Sequence, residues 1–199
     1  MKCTLFSTMF AVICFAACSP GVEKKVKVMS SGKIQVDEAT KTITLIPGSQ
    51  HNEAELTLTE KDKAITVKSP AGDNSFDVPE TGLYILNLKT DTLIGNMVNF
   101  GNGGTPSYIS TEQLEHIIDS TQQLINGQNA SDEKKTYFIV PKSIKKLTTN
   151  LNAQLINPYN NIPYKVEADK EGKAPEIYKF FTAKQKRESL NELVERMKK

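Results

Sequence analysis

Leu83-Tyr84-Ile85-Leu86-Asn87-Leu88 is the stretch on which the fold turns. Apart from Asn87 it is continuously apolar. A strand with one wet face alternates, so an unbroken apolar run reads as a central strand covered on both sides. The segments before it do alternate. Val26-Lys27-Val28, Ile34 and Val36, Ile43 and Leu45, Leu56 and Leu58, Ile65 and Val67, and Phe76 and Val78 each place apolar residues at a spacing of two. That is the period of strands buried on one face. Between them lie Ser31-Gly32, Pro47-Gly48, Lys61-Asp62, Ala71-Gly72-Asp73-Asn74 and Thr81-Gly82, which carry turn chemistry.

Downstream the period changes. Ser110 followed by Gln113 forms a capping box, and Leu114, Ile117, Ile118, Thr121, Leu124 and Ile125 recur at helical spacing until Asn126-Gly127. This helix is the expected cover for the second face of residues 83–88. Thr136–Val140, Ala153–Ile156, Tyr164–Val166 and Ile177–Phe180 read as further short strands. Thr182 and Gln185 form a second capping box, and Leu190, Leu193, Val194 and Met197 mark the apolar stripe of a last helix. The predicted class is α+β: a largely antiparallel β-sheet over residues 26–100, covered by one amphipathic helix (111–126), with short strands and a C-terminal helix (183–197). Residues 26–199 read as one β-rich domain, with a sub-boundary at 127–135.

The chain has 199 residues, with 25 basic and 23 acidic side chains and a net charge of +2. That balance excludes a polybasic nucleic-acid binder. Residues 19–131 hold 9 basic and 14 acidic groups, and residues 132–199 hold 15 and 9. Most bases in the second half alternate with acids, which reads as solvated surface.

The N-terminus is the most specific segment. Met1-Lys2 precedes an uncharged run, Thr4–Ala17. The run is too short for a bilayer core, which needs about 20 residues, and it has the form of a secretory h-region. It ends in Phe15-Ala16-Ala17-Cys18, which resembles the lipobox of bacterial lipoproteins. The resemblance implies that residues 1–17 are a signal peptide and that the Cys18 thiol receives a diacylglyceryl group. It also implies cleavage before Cys18 and acylation of the new amine. Residues 18–25 are then a lipidated tether. All three cysteines (Cys3, Cys14, Cys18) lie at or before the cut, so no thiol remains for a disulfide, a metal or a nucleophile. Several acyl chains together anchor stably, whereas one does so only marginally. Ser19 stands where Asp would imply inner-membrane retention, so the resemblance implies delivery to the outer membrane, facing the periplasm.

No catalytic signature stands out. Gly101-Asn102-Gly103-Gly104 lacks the Lys-Ser/Thr ending of a phosphate loop. Glu112, Glu115, His116 and Asp119 lie off the apolar stripe, as a solvated face would, and His51 reads as isolated in a polar turn. No cofactor or metal is called for. Nine of the eleven aromatics after residue 18 lie from Phe100 onward. They read chiefly as core, but Asn157-Pro158-Tyr159-Asn160-Asn161-Ile162-Pro163-Tyr164 also has the composition of a sugar- or peptide-binding surface. The function expected is a non-catalytic, envelope-anchored binding or scaffold module whose partners are the membrane, through Cys18, and an envelope protein or glycan. The alternative is a glycan- or small-molecule-binding lipoprotein using Tyr159, Asn161 and Tyr164; an envelope hydrolase ranks third.

Overall fold

The structure is a computed structural model that describes residues 21–98, 110–163, 166 and 174–197. It is a mixed α+β fold, mostly sheet. Ten strands and two helices follow in the order β1 (Lys24–Asp37), β2 (Thr42–Leu58), β3 (Ala64–Lys68), β4 (Asn74–Asp77), β5 (Gly82–Leu88), β6 (Leu93–Val98), α1 (Thr111–Ile125), β7 (Thr136–Ile139), β8 (Ser143–Thr148), β9 (Gln154–Ile156), β10 (Ile177–Thr182) and α2 (Ala183–Met197). One sheet has the strand order β4-β3-β2-β1-β5-β8, the other β7-β6-β10-β9.

The first sheet folds over on itself. β1 and β2 form one long hairpin whose register jumps between Ser31 and Gly32: Ser31 faces His51, whereas Gly32 faces Pro47. Gly48, Ser49 and Gln50 are therefore extra on β2, and Gly32 has φ +111°. Strands that pass from one layer to another turn at such bulges. Beyond this corner the hairpin returns across its own root, where the Lys41 ammonium donates to the Thr57 carbonyl at 2.8 Å. The edge strands β4 and β8 then meet, so the sheet is nearly closed. Its interior holds Val26, Val28, Ile43, Leu56, Leu58, Ile65, Val67, Phe76, Val78, Tyr84, Leu86 and Leu88.

Several expectations change here. Ser31-Gly32 and Pro47-Gly48 are not turns between short strands; they form the corner of two long ones. Antiparallel pairing predominates, as expected, but both sheets are mixed, because β1–β5, β2–β3 and β9–β10 run parallel. Near-closure brings Gly82 beside the start of β1, its N–H donating to the Glu23 carbonyl at 3.1 Å, so β5 enters from the same end. Lys24 and Lys25, read from the sequence as the end of a tether, belong to β1.

β5 is buried along its whole length, as a doubly covered strand must be. Helix 111–126 is not its cover. The second sheet covers it instead, through a core of Met29, Leu83, Ile85, Leu93, Tyr137, Tyr178 and Phe180 among others. Buried Asn87 links the sheets by donating to the Ile139 and Asp91 carbonyls at 2.9 and 3.0 Å. α1 and α2 pack on the far side of the second sheet, around Ile94, Ile125, Ala183 and Leu190. A sheet presents a broader apolar face than one helix, and Ile117 of α1 stays exposed. Both capping boxes form, with Gln113 N–H donating to Ser110 Oγ and Gln185 N–H to Thr182 Oγ1, each at 3.2 Å. No helix among the described residues is long and apolar enough to cross a membrane.

Candidate functional site

The folded-over hairpin leaves a gap between its two layers at the corner. A cavity of about 390 Å³ opens there, walled by Leu45, Pro47, Val67, Phe76, Leu88 and Pro141, with Lys89 and Lys142 as its charged lining. Mouths of small barrels are a usual place for ligand sites. Each wall has a local cause. Leu45 and Pro47 arrive with the outer arm of the hairpin, Leu88 and Lys89 as β5 ends, and Pro141 and Lys142 just before β8.

Lys89 joins this cavity to a polar cluster. It is 6% exposed. Its ammonium lies 3.5 Å from the Ser30 carbonyl and 3.3 Å from His51 Nδ1. His51 Nε2 is 2.8 Å from a Glu53 carboxylate oxygen. A neutral imidazole with its proton on Nε2 satisfies both contacts, donating to Glu53 and accepting from Lys89. The Tyr159 ring lies over His51, with centroids 4.7 Å apart, and the Lys89 ammonium is 5.3 Å from its centre. That distance is within cation–π range.

The loop carrying Tyr159 is held from beneath. Asn157 Oδ1 accepts from the backbone N–H groups of Tyr159 and Asn160 at 2.8 and 2.9 Å. Lys179, 4% exposed, donates to the Asn157 and Asn160 carbonyls at 2.5 and 2.6 Å. Burial, then the nearby Lys186 charge, lowers the Lys179 pKa. Both ammoniums lie against the Phe181 ring, at 4.6 and 4.3 Å from its centre. The loop thus holds Tyr159 in place while leaving it 57% exposed.

Of the residues singled out from the sequence, Tyr159 is an exposed part of this cluster. Asn161 is exposed beyond it. Cys18 and Tyr164 lie outside the described residues, as does the Gly101–Gly104 stretch. The other aromatics divide: Tyr137, Tyr178 and Phe180 are core, and Phe138 packs beneath the helices. His51 is not isolated, because β1–β2 pairing and the 157–160 loop bring Lys89, Glu53 and Tyr159 to it. Its only sequence signal was an imidazole two residues from a carboxylate. Among the described residues no group of His, Cys, Asp and Glu is placed to hold a metal ion.

A second buried titratable group is structural. Burial opposes ionisation of Glu176, but donors from Lys135, Tyr178 and Thr148 outweigh it and hold the pKa below the ordinary carboxylate value. Burial pushes Tyr137 up to about 12 and raises Tyr178 further. These hydroxyls stay protonated and donate, Tyr137 to the Leu147 carbonyl and Tyr178 to Glu176.

Comparison with protein families, curated proteins and solved structures found no match to this chain.

Proposed function

We propose that the protein is an exported lipoprotein, held in the bacterial envelope by acyl chains on Cys18, whose folded domain is a non-catalytic binding module. The observation that carries the binding reading is the open corner of the first sheet, where an apolar cavity is joined to exposed Tyr159 through Lys89. The lipid reading rests on Phe15-Ala16-Ala17-Cys18. In this account residues 1–17 are removed and the protein stands on the outer membrane facing the periplasm. The domain begins close to the bilayer, because β1 starts six residues after Cys18. Seven strand steps from Lys24 to Ser31, at roughly 3.3 Å each, set the cavity about 23 Å further along β1.

A second reading has its own support. Tyr159, on a loop braced by Lys179 and packed at a tilt against His51, offers one face for a sugar or peptide. Asn161 follows it, and Tyr164 completes that reading in sequence.

Membrane fractionation tests the anchor. The wild-type protein stays with the membrane after a carbonate wash. Cys18→Ala accumulates as a larger precursor that incorporates no labelled fatty acid. Labelled fatty acid in Cys18→Ala contradicts the assignment. For the second reading, Tyr159→Ala abolishes retention on immobilised envelope glycans without lowering the melting temperature; undiminished retention refutes it.

A further inference from the structure

We infer that the corner cavity binds a free, single-chain anionic amphiphile of roughly ten to thirteen heavy atoms in all, an apolar body bearing one carboxylate. This rests on the binding-module reading and names the ligand class of that site.

Size, lining and charge lead to it. At about 30 Å³ per water-sized unit, 390 Å³ holds a molecule of that size. A two-chain phospholipid is several times larger, which favours a free acid as the source. Leu45, Val67, Phe76 and Leu88 offer the body an apolar wall. Among the described lining residues the charged ones are Lys89 and Lys142, and none is acidic.

Lys89 is the telling group. An ammonium has three donors. Its two acceptors, the Ser30 carbonyl and His51 Nδ1, stand at 3.5 and 3.3 Å, both long for hydrogen bonds from an ammonium. No carboxylate among the described residues forms an ion pair with it. Glu53 reaches it only through the imidazole. A buried cation held by two long hydrogen bonds and the Tyr159 ring, with no ion pair among the described residues, favours an incoming anion, and the charge-assisted bonds formed are the strong kind. Lys142, exposed at the cavity edge and also without an ion pair among the described residues, adds attraction at longer range. A cationic or neutral amphiphile of equal length gains the wall alone.

The test is equilibrium dialysis of radiolabelled decanoate against the full-length protein in phosphatidylcholine nanodiscs, with empty discs subtracting partition into lipid. Decanoate binds at one site per chain. Decanol binds at least tenfold more weakly, and decyltrimethylammonium more weakly still. Lys89→Met and Lys142→Glu each weaken decanoate about tenfold while leaving decanol unchanged. Ala71→Trp, an exposed turn residue at the cavity wall, blocks both ligands. Because Lys89 is buried, a melting curve accompanies each variant, and Lys142→Glu carries the charge test if Lys89→Met fails to fold. Equal affinity for decanol and decanoate overturns the anionic assignment. Decanoate binding that survives Ala71→Trp overturns the site, and binding no greater than to empty discs overturns the ligand class. The anchor is read separately, by Cys18-dependent retention. A membrane-held protein that ignores decanoate therefore refutes this inference alone.

Discussion

Replacing Gly32 with alanine tests the corner that shapes both the sheet and its cavity. Gly32 has φ +111° and Gly72 has φ +108°, so alanine meets the same backbone strain at both. That strain is of order 1–3 kcal/mol. The gain from stiffening the unfolded chain is also shared. The surroundings differ. A methyl at Gly72 meets nothing within 4 Å, whereas one at Gly32 collides with the Ile46 carbonyl oxygen and comes to 2.6 Å from the Gly48 nitrogen and 2.8 Å from the Pro47 carbonyl carbon. All three are backbone atoms of the facing strand, so relief requires the corner to open. Overpacking of that kind costs about 1–3 kcal/mol or more. Gly32→Ala is therefore expected to lose about 2 kcal/mol more than Gly72→Ala. With a urea slope near 2 kcal/mol per molar, its midpoint falls about 1 M below that of Gly72→Ala. The chain has no tryptophan, so far-ultraviolet circular dichroism follows the transition, on protein beginning at Ser19. Equal midpoints for the two variants would show that the hairpin does not turn as described.

Two further outcomes follow from packing and charge. Leu190 is buried between the helices and the second sheet whereas Leu193 is half-buried, so Leu190→Ala should cost about 2–4 kcal/mol and Leu193→Ala clearly less; thermal melts of both rank them. Glu176 has a depressed pKa in the folded state, so its stabilisation is complete above the unfolded value near 4.3 and is lost as pH falls through that value and below it. Glu176→Gln should cost about 1–2 kcal/mol at pH 7 and flatten the decline of stability below about pH 5, as read from urea midpoints across pH.

Local rules in the sequence foretold much of this fold. The nearly continuous apolar run at 83–88 marked a doubly buried strand, and both capping boxes marked where helices begin. Those signals lie within a few residues of one another. What covers β5 was not local, because the covering sheet gathers β6, β7, β9 and β10 from across half the chain. β8 went unread because Lys145-Lys146 interrupts its alternation. Those lysines pair with Asp132 and Glu80 across the surface, as suits a charged edge strand. Glycine misled at 32 and 48, since the same conformational freedom serves a turn or a corner. Tyr159 was legible as a candidate. Lys89 and His51 were not, because only the pairing of β1 with β2 and β5 brings positions 38 residues apart into contact.

The mass of the N-terminal peptide from protein purified out of its native membrane bears most directly on the lipoprotein assignment. The account predicts a chain that starts at Cys18, with a diacylglyceryl thioether on its sulfur and a further acyl chain on its amine. An unmodified Cys18, or a chain that still begins at Met1, would contradict it.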